Sequence, residues 1–268
     1  MKTGSYRPEL DRESGRIGGP SRARRSKPAP ENLIWGRHAV LAAIENGARE
    51  PGGQLWLSAE RARELEGQID PARRLRVEIR DGHDIARALP QGAVHQGMVL
   101  VGPPLASVSL DEIADPAHGV LIMLDQITDP QNVGAIFRSG LAMGARGIIV
   151  QDRHAPELSG ALAKAAAGAI ERLPCARVTN LSRALEQLSD LGWRAVGLDG
   201  QGTETLEEAL DARPTVIVMG SEGDGIRRLV AEHCDVLARI PMPGGFESLN
   251  VSNAAAIALY EAARSQRR

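Results

Sequence analysis

Three short segments of this 268-residue sequence concentrate polar residues and glycines in patterns that could do chemistry. The first runs Asp129-Pro130-Gln131-Asn132-Val133-Gly134-Ala135-Ile136-Phe137-Arg138-Ser139-Gly140. The second is Met219-Gly220-Ser221-Glu222-Gly223-Asp224-Gly225-Ile226, and the third spans Ile240-Pro241-Met242 to Ser248-Leu249-Asn250-Val251-Ser252-Asn253. Glycines let backbone approach a ligand closely, and amides that open a helix form a donor-rich rim. The second segment lacks the Lys-Ser/Thr of a phosphate-binding loop and the spacing of a dinucleotide fingerprint. A carboxylate at Glu222 would repel a pyrophosphate, so the loop suits a neutral or cationic ligand better than a nucleoside triphosphate. The plainer alternative is a tight strand-to-helix turn with Glu222 and Asp224 at the helix N-terminus. Arg138 interrupts an apolar run and is either a surface residue or a donor reaching into a site; its guanidinium suits bidentate phosphate contact and keeps its proton. Asn132 could serve simply as a helix N-cap. Ser248, Asn250, Ser252 and Asn253 crowd the entrance of a helix reading AAAIALYEAAR. One Ser or Asn suffices for a cap, so four exceed structural need.

The elements that must position these segments alternate regularly. Short apolar runs at 120–124, 147–151, 175–178, 194–198, 215–219 and 235–240 predict strands buried on both faces of a parallel sheet. Helices are expected between them at 133–143, 158–169, 181–191, 225–233 and 249–265, with Asn180 capping the third and Thr205-Leu206-Glu207-Glu208 forming a capping box. Ligands in open α/β sheets bind at the carboxyl ends of strands, where all three segments fall. Ahead of this unit, GRHAVLAAIENG, QLWLS, ERARELEGQI, RVEIR, DIARAL and GMVLVG predict a small α/β domain over 32–102. Residues 103–118 are expected as a linker, 119–268 as the larger domain and 1–31 as a disordered arm.

Composition sets outer bounds. Hydrophobic residues at 43% and charged residues at 25% suit a globular chain, and aromatics at 3% leave its cores to Leu, Ile, Val and Ala. No run of ~18 apolar residues predicts a membrane span, and the first residues do not resemble a secretory signal. Cys175 and Cys234 have no Cys-x-x-Cys partner, which points to a reducing cytoplasm, and no His/Cys cluster predicts a metal site. The net charge of −2 hides eight Lys and Arg against three acids within residues 1–30. Such an arm suits a nucleic-acid partner, because neutralising phosphates supplies sequence-independent affinity; a solvated tail is the alternative.

Together and in this order, NVGAIFRSG, MGSEGDGI and IPMPGGFESLNVSNAAAIALYEAAR resemble the SpoU/TrmH family of the SPOUT class of RNA methyltransferases. The likeness covers roughly 119–266, and Ser-Leu-Asn-Val-Ser after Ile-Pro-Met is its most specific part. The front unit, from GRHAVLAAIENG to His95-Gln96-Gly97, is similar to an L30e-like RNA-binding domain, and the arrangement as a whole to bacterial 23S rRNA guanosine-2′-O-methyltransferases. The resemblance implies a parallel α/β sheet with a deep trefoil knot, against the general avoidance of knots. It further implies S-adenosylmethionine held by Gly220, Ile240, Leu249 and Met242, a homodimer with its active site at the knot interface, and 23S rRNA as partner. Catalytic roles for Asn132, Arg138, Glu222, Ser248 and Asn250 are implied in the same way. Asn253 and Phe246 depart from the family pattern, which bears on the loop near the cofactor.

On this expectation the enzyme orients a ribose 2′-hydroxyl, and Arg138 contacts that hydroxyl or an adjacent RNA phosphate to stabilise developing negative charge. A tRNA 2′-O-methyltransferase and a catalytically silent RNA-binding assembly factor are the alternatives. A nicotinamide-dependent oxidoreductase fails on the missing fingerprint.

Overall fold

Runs such as VLIML at 120–124 and TVIVM at 215–219 carry no polar face, so strands made of them need cover on both sides. The computed structural model, which describes residues 32–244 and 248–267, supplies that cover around a seven-stranded sheet. The arm at 1–31 and Phe246 lie outside the described residues.

The front unit contains β1 (Leu33–Trp35), α1 (Arg37–Glu45), β2 (Gln54–Leu57), α2 (Ala59–Glu64), β3 (Arg76–Ile79), α3 (Gly82–Ala88) and β4 (Met98–Val101). Its sheet has the order β1-β4-β2-β3, with β2 and β3 parallel and the other pairs antiparallel. Each predicted strand and helix of this unit is present; β1 is additional, because three residues are too short to show a period. The stretch read as a linker holds α4 (Leu110–Ala114), capped reciprocally by Ser109 and Glu112. Leu110 and Ile113 bury this helix in the core of the second unit.

Thereafter come β5 (Val120–Leu124), α5 (Pro130–Ala142), β6 (Gly147–Gln151), α6 (Gly160–Ala166), β7 (Cys175–Val178), α7 (Leu181–Asp190) and β8 (Arg194–Leu198). The chain continues through β9 (Glu204–Thr205), α8 (Leu206–Ala209), β10 (Thr215–Met219), α9 (Arg228–Ala231), β11 (Val236–Arg239) and α10 (Val251–Ser265). The order is β7-β6-β5-β10-β8-β11-β9, and every pair is parallel. Alternate strand residues feed opposite layers: Ile122 and Ile148 pack with Phe137 of α5, Leu162 of α6 and Leu259 of α10. Leu121, Met123 and Ile149 face Leu185 and Leu188 of α7 and Ile113 of α4. Asn180 caps α7, and Thr205 with Glu208 forms the capping box of α8.

Two local expectations are corrected. Asn132 is not the N-cap of α5: Asp129 fills that role and accepts from the Gln131 amide, with Pro130 opening the helix. The helix expected over 225–233 shrinks to α9, because Gly223 and Gly225 hold φ of +91° and +67°, outside helical backbone.

Strand order places the site. The chain builds β5, β6 and β7 outward, returns to β8 on the other side, then inserts β10 between β5 and β8. The loops after β8, β10 and β11 therefore emerge together beside the point where the order reverses, the usual place for a ligand.

Candidate functional site

Those three loops enclose a cavity of about 450 Å³. The loop after β10 brings Gly220 to Gly225, the loop after β11 brings Ile240 and Met242, and Ser248 and Leu249 close the rim ahead of α10. Only glycine fits at 220, since a Cβ there would lie 1.9 Å from the carbonyl carbon of Gly225. The Gly225 amide donates to the Ser221 carbonyl at 3.0 Å, so the loop closes on itself and turns its backbone along the cavity wall.

Glu222 ties distant segments together. Its Oε1 accepts from Asn250 Nδ2 at 2.8 Å, from the Val251 amide at 3.1 Å and from Asn132 Nδ2 at 3.4 Å. Asn250 Nδ2 also donates to Asn132 Oδ1 at 3.0 Å, while Asn250 Oδ1 accepts the Ser252 amide at 3.0 Å and hydroxyl at 2.6 Å. The helix whose N-terminus Glu222 faces is thus α10, entered 29 residues later, and not the helix that follows its own loop. A carboxylate there opposes the positive end of the helix dipole. Within the polar stretch at 248–253, Asn250 both caps α10 and holds the two other segments, and Ser252 braces its side chain.

Of the nine residues singled out by sequence, Gly220, Glu222, Ile240, Met242, Ser248 and Leu249 line the cavity. Asn132 and Asn250 join it through Glu222. Arg138 does not: it is exposed on α5, six residues and roughly 120° around the helix from Asn132. No hydrogen bond or ion pair links it to a described residue. Asn253 is exposed and outside the lining.

Sequence reasoning missed the loop after β8, where Leu198, Asp199, Gly200 and Gln201 form the opposite wall. Its only signal was a polar and glycine pair, Asp199-Gly200, at a strand end. Asp125 and Arg227 were missed too. Asp125, 0% exposed at the end of β5, accepts from the Arg227 amide at 2.9 Å and Nε at 2.7 Å. Arg227 Nη2 reaches Gln151 Oε1 at 2.9 Å, so the segment leaving the cavity loop is pinned across β5 and β6. Among the described residues no group of three or more His, Cys, Asp or Glu gathers as a metal site, and no helix is long and apolar enough to cross a membrane.

Comparison with known proteins shows the family. Residues 119–260 match the SpoU rRNA Methylase family, and residues 33–107 match the RNA 2′-O ribose methyltransferase substrate-binding family. An uncharacterized tRNA/rRNA methyltransferase of Mycolicibacterium gilvum is 36% identical over 254 residues, which cover 92% of this chain and 81% of that protein. The 23S rRNA (guanosine-2′-O-)-methyltransferase RlmB of Pseudomonas aeruginosa is 39% identical over 246 residues, covering 87% of this chain and 96% of that protein. In structure, the SpoU methyltransferase AviRb of Streptomyces viridochromogenes, solved with AdoMet, superposes with a TM-score of 0.74 at 29% identity, covering 88% of this chain and 89% of that one. An AdoMet-bound rRNA methyltransferase of Sinorhizobium meliloti gives 0.71 at 26% identity, covering 87% and 86%.

Proposed function

Because the chain belongs to the SpoU rRNA methylase family, we propose that it methylates the ribose 2′-hydroxyl of a guanosine in 23S rRNA, with S-adenosylmethionine as donor. The observation that carries this assignment is that the second and third motif segments line one cavity, and that Glu222 of its wall ties Asn250 and, from the first segment, Asn132 to it.

The cavity fits the donor. Its volume of about 450 Å³ lies in the range of small-molecule sites, and the bare backbone at Gly220 admits close approach. Gly220, Ile240, Met242 and Leu249 would hold the donor, with the carboxylate of Glu222 suited to its positive charge. When bound, S-adenosylmethionine supplies a methyl group already activated on a sulfonium. The chain's own work is then to orient the ribose and manage its proton. Ser248, Asn250 and Asn132 offer hydroxyl and amide groups at the rim to fix the sugar, and alignment of this kind contributes ~7 kcal/mol or more in favourable cases. Arg138 stabilises the negative charge that develops on the 2′-oxygen as its proton passes to an adjacent RNA phosphate. Arginine itself holds its proton too tightly to be the base.

Arg138 sits outside the cavity of its own chain, so this role requires a second copy to present it. A homodimer with the site at the subunit boundary meets that need. Ile257 and Tyr260 on α10, exposed by 41% and 60%, offer apolar surface for such a contact. The same assignment includes a trefoil knot in the threading of the segment after β11, an L30e-like front domain that grips the RNA, and a cytoplasmic location.

The test is incubation with unmodified 23S rRNA and, separately, a tRNA pool, using labelled donor. Alkaline-resistant 2′-O-methyl sites are expected in the rRNA. Label in tRNA alone overturns the rRNA assignment, and label in neither pool, with no heat of donor binding by calorimetry, leaves a silent RNA-binding factor as the answer.

A further inference from the structure

Away from the cavity, Glu171, in the helical turn Ala169–Glu171 that follows α6, belongs to an ion pair with both side chains buried. Its side chain is 2% exposed. One carboxylate oxygen accepts from Arg49 Nε and Asn46 Nδ2, both at 2.8 Å, and the other from Arg49 Nη2 at 2.8 Å. The Arg49 side chain is 5% exposed, and its remaining Nη1 donates to the Pro103 carbonyl at 2.8 Å. A single bidentate pair therefore joins three pieces: the end of α1 in the front unit, the connecting stretch, and the unit that carries the cavity.

The surroundings are close-fitting. A Cβ on Gly168 would lie 2.7 Å from that of Ala42, so α1 rests directly on the backbone ahead of Glu171. Lys164 Nζ of α6 donates to Gln96 Oε1 at 2.9 Å, and the same oxygen accepts the Arg37 amide at 3.1 Å. Apolar contact between helices is non-directional and tolerates sliding. A fork-to-fork guanidinium–carboxylate pair does not, because both of its hydrogen bonds hold only at one angle. Desolvating two charges roughly offsets their attraction, so such a pair adds little stability beyond what apolar residues would give, and its attested use is to fix register.

We propose that Glu171 is a positioning residue that locks the front unit at one angle to the catalytic unit, so that RNA gripped by the first presents its ribose to the cavity of the second. This rests on the assignment of the chain as an RNA methyltransferase. Arg49 is its working partner, and Pro103 extends the lock to the connection itself.

The test compares the full chain with Glu171→Gln and with the apolar double variant Arg49→Met/Glu171→Leu, which leaves no charge buried alone. Nitroxides on Gln91→Cys and Ser189→Cys, both exposed positions, report the distance between units in a Cys234→Ser background. The parent is expected to give one narrow distance. The double variant should melt close to the parent and bind S-adenosylmethionine with unchanged affinity. It should also give a broadened distance distribution and a KM for an rRNA fragment about tenfold higher at near-constant kcat. An unbroadened distribution, or a broadened one with unchanged KM, overturns the positioning role. If the double variant does not fold, Glu171→Gln carries the same readouts. A parent that methylates no RNA overturns the functional assignment instead, and the distance distribution still decides the lock.

Discussion

One oxygen of Glu222 holds the Asn132 amide, the Asn250 amide and the first backbone N–H of α10, so this side chain couples the cavity loop to both neighbouring segments. Glu222→Ala removes all three contacts without filling space. The chain should stay folded, because its core residues are untouched, while donor affinity falls by about tenfold, the equivalent of losing one good charge-assisted hydrogen bond. Calorimetric titration checks this, and unchanged affinity would mean that the Glu222 contacts serve α10 alone. The two thiols behave in the opposite manner. Burial pushes Cys175 and Cys234 up to about 12, with nearby Arg177 opposing the rise at Cys175 and Asp235 and Asp125 adding to it at Cys234. Near pH 8 the thiolate fraction is then on the order of one in ten thousand, too low for ready alkylation. Iodoacetamide should leave both cysteines unmodified in the folded chain and modify both once denaturant unfolds it; rapid labelling of either in the native state contradicts that burial.

Among the elements, the strands were the most legible. Val, Ile and Leu runs such as 147–151 and 215–219 have no polar face to hide, and each is a buried strand at the expected place. Helix ends were legible where a local cap specifies them, as at Asn180 and Thr205, and misread where a glycine loop or a nearer cap competes, as at 225–233 and Asn132. β1 and α4 escaped notice because three and five residues carry no usable period. The loop after β8 escaped for a different reason: it joins the cavity through strand order, and the insertion of β10 between β5 and β8 is a long-range fact that local pattern does not encode. The loop after β10 was legible because its glycines are obligatory. In Gly220→Ala the new methyl would collide with the Gly225 carbonyl carbon at 1.9 Å and its oxygen at 2.1 Å, so the loop must move into the cavity or away from it. Overpacking of this kind costs ~1–3 kcal/mol, which the rest of the sheet can absorb. Expected are a modestly lower melting temperature, weaker donor binding and a turnover lower by about a hundredfold, since misplacement by about 1 Å costs that much in rate at a reacting site. Unchanged affinity by calorimetry would show that the loop moves freely and that its closure does not shape the cavity.

At the scale of the whole molecule the proposed mechanism turns on Arg138, whose residue type suits phosphate contact and which lies outside the cavity of its own chain. Exposed on α5 and outside the cavity lining, it would act, under the proposed homodimer, on the site of another copy, and that proposal predicts complementation. Arg138→Ala keeps an intact cavity and lacks the guanidinium; Gly220→Ala keeps the guanidinium and has a damaged cavity. Each variant alone should retain its fold and lose most turnover. When equal amounts are mixed under conditions that let subunits exchange, half of the dimers are heterodimers, and each of these pairs one intact cavity with one intact arginine. Activity should therefore recover to roughly a quarter of the parent value, as expected for random assembly across a two-fold axis. Arginine acting within its own chain gives no recovery, because neither partner then supplies a complete site. Parent-like turnover by Arg138→Ala alone would remove the residue from the mechanism altogether. A charge introduced at the proposed contact, Tyr260→Glu, should abolish the recovery in the mixture by blocking assembly, which separates assembly across α10 from any direct effect on the cavity.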